Sequence, residues 1–315
     1  MKGTLKILTA SALVALALAS TGVSSAAPSD PAAGVSPSVL VTPAARSALQ
    51  AKVDLARMAT PALFDTLRAI RADVPNLERQ RRGNHALVGR ILANLGKDAL
   101  LPMLDMLVFR EAEERALEPN ARVAWRAGLI EAIGKLRDPF ALPYIGALLD
   151  GPETEPHLVF AAAQALARHG GDESTDKLVL RSAQPDPKRV SIVKALGECR
   201  REKAARAIVA VLESNTADPL LSKTAVDALG MVGSSWAWAV PEVAKNGEGD
   251  RTREVAARAL IAALPKLAVD AQRDVAVALS SIELAQTGAW MQEARLRGRV
   301  EDRAVFDRTI QQLRK

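Results

Sequence analysis

The stretch "EAIGKLRDPFALPYIGALLD", residues 131–150, sets its leucines and isoleucines at helical spacing yet carries Gly134, Pro139, Pro143 and Gly146. Glycine weakens a helix interior and proline stops one. Two helices joined by a turn reconcile these signals. Asp138-Pro139 makes the turn. Pro143 starts the second helix, because proline pushes its predecessor out of the α region and is tolerated in a first helical turn. On this reading Val123, Ala127, Ile130 and Ile133 form the apolar face of the first helix. Tyr144, Ile145, Leu148 and Leu149 form that of the second.

The same layout recurs on both sides. Asn120, Asp186, Asp218 and Asp250 each precede an amphipathic run as an N-cap, at spacings of 66, 32 and 32, and Glu155-Pro156 fits the wider gap. A period of 32–33 residues therefore runs from about 120 to 285. A small or apolar residue near the end of each first helix keeps step: Gly96, Gly134, Ala167, Gly197, Gly230 and Ile261. Proline leads the second helix at Leu101-Pro102, Leu142-Pro143 and Val240-Pro241. One short hairpin cannot bury its apolar face alone, but stacked hairpins bury a continuous core between neighbours. Glycine and alanine at the recurring position let adjacent helices approach closely.

"EAIGKLRDPFALPYIGALLD", "DALGMVG…AVPEVA" and "NLGKDALLPMLDML" resemble HEAT repeats, in the short form also seen in phycobilisome-lyase relatives. The resemblance covers about 84–286, some six units. In "ALARHGGDESTDKLVL" and "ALIAALPKLAVDAQ" the glycine is replaced and the turn differs. It implies an all-α fold, a right-handed α-solenoid of about six helical hairpins with helical caps, whose second helices line a concave binding side.

Around the array, Lys2 and Lys6, an apolar run from Ile7 to Ala19 and the small-residue segment "STGVSSAAPS" have the layout of a secretory signal peptide over 1–26. Cleavage falls after Ala26 or Ala27, and the first is preferred because the second leaves Pro28 beside the cut. Losing the two lysines takes the net charge from +6 to +4, which describes a mildly basic protein and no polyelectrolyte binder. Residues 27–43 read as a disordered Pro/Ser-rich tether and 44–83 as an N-terminal helical cap, with helices over 44–58 and 61–73. Residues 287–315 read as a C-terminal capping helix. Export makes the expected location periplasmic or extracellular, and the Ala/Arg/Leu-heavy composition points to a bacterial source.

Catalytic chemistry is hard to find in this chain. His85, His157 and His169 lie far apart in repeat register, and no HExxH motif or cysteine pair suggests a metal. Phosphate loops and a GxSxG elbow are missing, so no catalytic, cofactor or metal residues are expected. "HGGDES" at 169–174 contains Gly-Gly-Asp-Glu, but turn chemistry accounts for Gly170-Gly171 and capping for Asp172. "ERQRRG" at 78–83 reads as a solvated helix end, since later second helices mix signs, as Asp105, Arg110, Glu111, Glu113, Glu114 and Arg115 do. Cys199, the single cysteine, reads as buried packing or as a thiol that pairs with another chain. In "SSWAWAVPEV" Trp236 and Trp238 cannot share a helical face, so one of them is a candidate contact residue. Arg110 and Glu114 are further candidates for protein contact. The expectation is an exported, non-enzymatic scaffold that binds a protein on its concave face, with no nucleic acid, no cofactor and no membrane span in the mature chain. The alternative is an accessory subunit of an envelope or secreted enzyme. A small-molecule ligand is left open.

Overall fold

Pro119 opens a helix that runs to Leu136, where Arg137 turns left-handed at φ 52°. The Asp138 carboxylate then accepts the N–H of Phe140, Pro139–Ala141 form one 3-10 turn, and Leu142–Asp150 make the next helix with Pro143 in its first turn. The first of these helices is buried almost all round, from Ala121 through Trp125, Leu129 and Ile133, so it lies inside a stack and not at its edge.

The computed structural model describes residues 41–81 and 85–313. The expected signal peptide, its cleavage sites Ala26 and Ala27, and the tether up to residue 40 lie outside the described residues. Among those described, all regular structure is helical. In chain order the helices are α1 (Pro43–Ala59), α2 (Pro61–Arg79), α3 (Val88–Ala93), α4 (Leu100–Phe109), α5 (Glu111–Arg115), α6 (Pro119–Leu136), α7 (Leu142–Asp150), α8 (Pro156–His169) and α9 (Asp172–Ala183). They continue as α10 (Arg189–Leu196), α11 (Glu202–Ser214), α12 (Pro219–Val232), α13 (Ser235–Trp238), α14 (Pro241–Ala244), α15 (Gly249–Ala263), α16 (Val269–Ile282), α17 (Thr287–Arg297) and α18 (Arg303–Leu313).

They stack as an all-α solenoid in two layers. Each of α3, α6, α8, α10, α12, α16 and α18 packs on the next in that order. Beside them run the second helices, with α9 against α11, α11 against α15 and α15 against α17. Small residues set the spacing of the first layer. A Cβ added to Gly134 would lie 2.5 Å from the Cβ of Ala165 on α8, and one on Gly230 would lie 2.9 Å from that of Ala278 on α16. The second layer is bridged by longer side chains. Lys177 reaches Asp150 at 2.5 Å, and Lys203 reaches Asp172 at 3.0 Å and Asp176 at 2.6 Å.

The repeat register departs from the expected one after α12. The helix beginning near Asp250 is not the first helix of a sixth unit: α15 packs on α11 in the second layer and is the partner of α12. The proline-led helix at Val240-Pro241 stops after four residues. First helices α10 and α12 start 30 residues apart, but α12 and α16 start 50 apart. The difference is an insert between the two helices of one unit. Asp218 caps α12, taking the N–H groups of Leu220 and Leu221 at 3.0 Å, whereas Asn120 and Asp250 lie inside their helices. At the C-terminus Gly298 breaks the expected single helix into α17 and α18, which Arg295 and Asp307 tie together at 2.6 Å. At the N-terminus α2 runs on to Arg79 through Pro75.

Candidate functional site

The insert carries both tryptophans, and i, i+2 spacing sends them opposite ways. Trp238 is 7% exposed; its indole N–H donates to the Val232 carbonyl at 2.8 Å, and its ring packs on Gly249, the first residue of α15. Trp236 is 81% exposed, and Val240 beside it is 44% exposed. Hydrogen bonds place the insert along the edge where first helices turn into second ones. Asn246 Nδ2 donates to the Arg200 carbonyl at 2.9 Å, in the turn before α11. Ser235 donates to Glu283 at 2.6 Å, in the turn after α16. Trp236 therefore stands on a ridge of turns and on neither helix layer.

Arg110 and Glu114 occupy different surroundings. Glu114 is 2% exposed and ion-paired with Arg126 of α6, so it offers a partner no surface. Burial outweighs the attraction of Arg126 and pushes the Glu114 carboxyl up to about 7. Arg110 lies half-buried and donates to Asp105 at 3.1 Å, which also takes Arg57 at 2.8 Å. Both expected contact residues belong to internal ion pairs, a role that sequence spacing alone did not separate from surface charge.

Cys199 is wholly buried, and desolvation pushes its thiol up to about 12. The bland packing reading fits this environment, and an intermolecular disulfide does not. His85 and His157, expected far apart, are in contact, with ring centroids 4.7 Å apart and planes near perpendicular. They meet because α3 and α8 flank α6 on opposite sides, and both rings reach over its start. With Pro75, Glu78, Arg79, Arg81, Glu118, Asn120 and Ala121 they line a cleft of about 730 Å³. Of the basic run at 78–83, Arg82 and Gly83 lie outside the described residues. Among the described residues no group of three or more His, Cys, Asp or Glu is placed to hold a metal. No described helix is long and apolar enough to cross a membrane.

No protein-family model matches this chain, and no curated protein matches it. Among solved structures it is similar to human deoxyhypusine hydroxylase in complex with glycerol, at 16% identity and a TM-score of 0.29, over 82% of this chain and 99% of that one. The expectation that the chain is no enzyme does not stand, because the structure it is similar to is that of an enzyme. At that TM-score the likeness lends this chain no activity of its own.

Proposed function

We propose that this HEAT-like repeat protein is exported and binds another protein, with Trp236 as an anchor on the ridge of turns. The observation that carries the reading is an indole 81% exposed on an insert that the helix stack does not require. Tryptophan is enriched among residues that dominate binding energy, and an exposed one has no packing role to explain it. The concave-face expectation is thereby narrowed: the ridge beside the second helices is the contact surface, and the ion-paired second helices flank it.

A photo-crosslinking residue placed in turn at positions 236, 180 and 55 tests this in cells, followed by mass spectrometry of the attached species. Leu180 on α9 and Leu55 on α1 are each 64% exposed and serve as comparison sites. One species captured from 236, and lost when Trp236→Ala is combined with a crosslinker at Val240, is the expected result. Equal capture of the same species from all three positions would remove the assignment. Export is tested separately, by N-terminal sequencing of the mature protein, which should begin at Ala27.

A further inference from the structure

We propose that a groove between α12 and α16, opening onto the ridge that carries Trp236, takes an acidic segment of the partner protein: one carboxylate set beside one apolar side chain. The inference rests on the reading of Trp236 as an anchor and says what the partner presents next to it. The groove encloses about 360 Å³, room for a side chain or two and not for a domain. Its floor is Gly230 and Ala278, where the two helices meet so closely that a Cβ on the glycine would lie 2.9 Å from that of the alanine. Met231 on α12 and Val277 on α16 stand as walls above that floor, and both are exposed. Their neighbours Leu229, Val232, Ala276 and Leu279 are buried, so the groove lies on the side of the first layer turned away from the second helices.

The two ends of the groove differ in charge. One is closed by Lys223, which reaches Asp227 on its own helix at 3.2 Å and Asp274 across the groove at 2.6 Å. Both acidic lining residues therefore already hold a cation. The other end carries Arg200, from the turn between α10 and α11. Its Nη1 donates to the carbonyls of Gly197 at 2.7 Å and Met231 at 3.3 Å, which fixes the guanidinium at the groove. No carboxylate among the described residues lies within 4.0 Å of it. The nearest acids in sequence are engaged elsewhere, Glu198 with Arg168 and Glu202 with Arg206. Burial holds the Arg200 guanidinium below its usual pKa, outweighing the pull of Glu198.

This arrangement selects among occupants. A basic segment would have to displace Lys223 and would be repelled by Arg200. A purely apolar one would cover Arg200 and leave a buried charge unpaired, the costliest outcome for a cation. A carboxylate on Arg200, with an apolar side chain between Met231 and Val277, satisfies both surfaces and forms a charge-assisted hydrogen bond. The groove is also continuous with the ridge. Ser234, one of its lining residues, lies two positions before Trp236, and Ser235 is tied to Glu283, two positions beyond the lining residue Ser281.

A phage-displayed library of random short peptides, selected on the purified protein, tests charge and place together. Recovered peptides should be enriched in Asp or Glu next to Leu, Ile, Phe or Trp. Val277→Glu, an exposed change that sets a like charge in the wall, should weaken the tightest of them by at least about tenfold. Arg200→Gln should do the same and Arg200→Lys should restore much of the loss, while Arg206→Gln, exposed on α11, should change nothing. Arg200 also holds two helix-end carbonyls, so thermal melting checks its variants; if they do not fold, Val277→Glu decides. Recovery of no peptide tighter than about 1 mM would overturn the proposal, as would basic or uncharged consensus peptides, or indifference to Val277→Glu. In cells, a photo-crosslinker at 277 should capture the species captured from 236, through an acidic stretch of it. Capture of a second copy of this chain would overturn the assignment of partner. Capture from 236 with none from 277 would remove the groove and leave the Trp236 anchor; capture from 277 alone would do the reverse, and capture from neither would remove both.

Discussion

The turn at residues 137–141 and the segment at 233–248 both lead from a first helix to its second. The first does so with one left-handed residue, an aspartate cap and a proline. The second takes two helical fragments, a left-handed Gly247 and a buried tryptophan to reach the same place. The short turn leaves the stack's spacing to Gly134 and Ala165. The long one makes its own small core under Trp238 and presents Trp236 outward. What separates them is where their large apolar side chains go: the repeat turn buries Ala141 and packs Phe140 partly against the core, and the insert buries Trp238 while it displays Trp236.

Substitutions can break that contrast, the most disruptive within the stack. Gly134→Val puts branched carbon against the Ala165 backbone, 2.8 Å from its Cα, where neither helix can yield alone. A loss of about 3 kcal/mol or more is expected in urea unfolding, with broadened transitions if the stack splits. Trp238→Ala should come next, at about 3 kcal/mol, the low end for truncating a buried tryptophan, because it empties the insert's own core and frees the Val232 carbonyl. Hydrogen exchange should then rise across 235–248 while α6 and α8 stay protected; exchange rising everywhere would show that the insert is not an autonomous addition.

Glu114 sharpens the comparison from the other side, since it is a polar group held inside the stack. Its folded pKa of about 7 stands above the ordinary 4.5. Between those values the folded chain holds a proton that the unfolded chain has released. Its contribution is therefore fully present below pH 4.5 and is lost as pH rises through about 7. The ceiling is about 3 kcal/mol, and relaxation around Arg126 should leave about 1–2. Glu114→Gln should flatten melting temperature against pH across that window; an unchanged profile would assign the slope elsewhere. The smallest effect on stability belongs to Trp236→Ala, within about 0.5 kcal/mol, although it is expected to abolish partner capture.

The helices were legible wherever local chemistry decided them. Asp218 followed by proline, Glu155-Pro156 and the Asp138-Pro139 turn act on their own neighbours, and each does the job its residue type suggests. The burial of Glu114 was not legible, because an acidic run such as residues 111–115 looks solvated until α6 brings Arg126 to it. Nor was the meeting of His85 and His157, which needs α3 and α8 to be fitted on either side of α6.

The sequence by itself determined an all-α chain of stacked hairpins, because hydrophobic periodicity and its breakers act within a turn or two of themselves. The layer to which each helix belongs was decided only by tertiary structure. The amphipathic run after Asp250 would suit either layer. It enters the second because Glu248 takes the N–H of Glu202 at 2.6 Å and the Arg201 guanidinium at 3.0 Å, beside the start of α11. Those partners lie 46 and 47 residues away, beyond the reach of any local pattern.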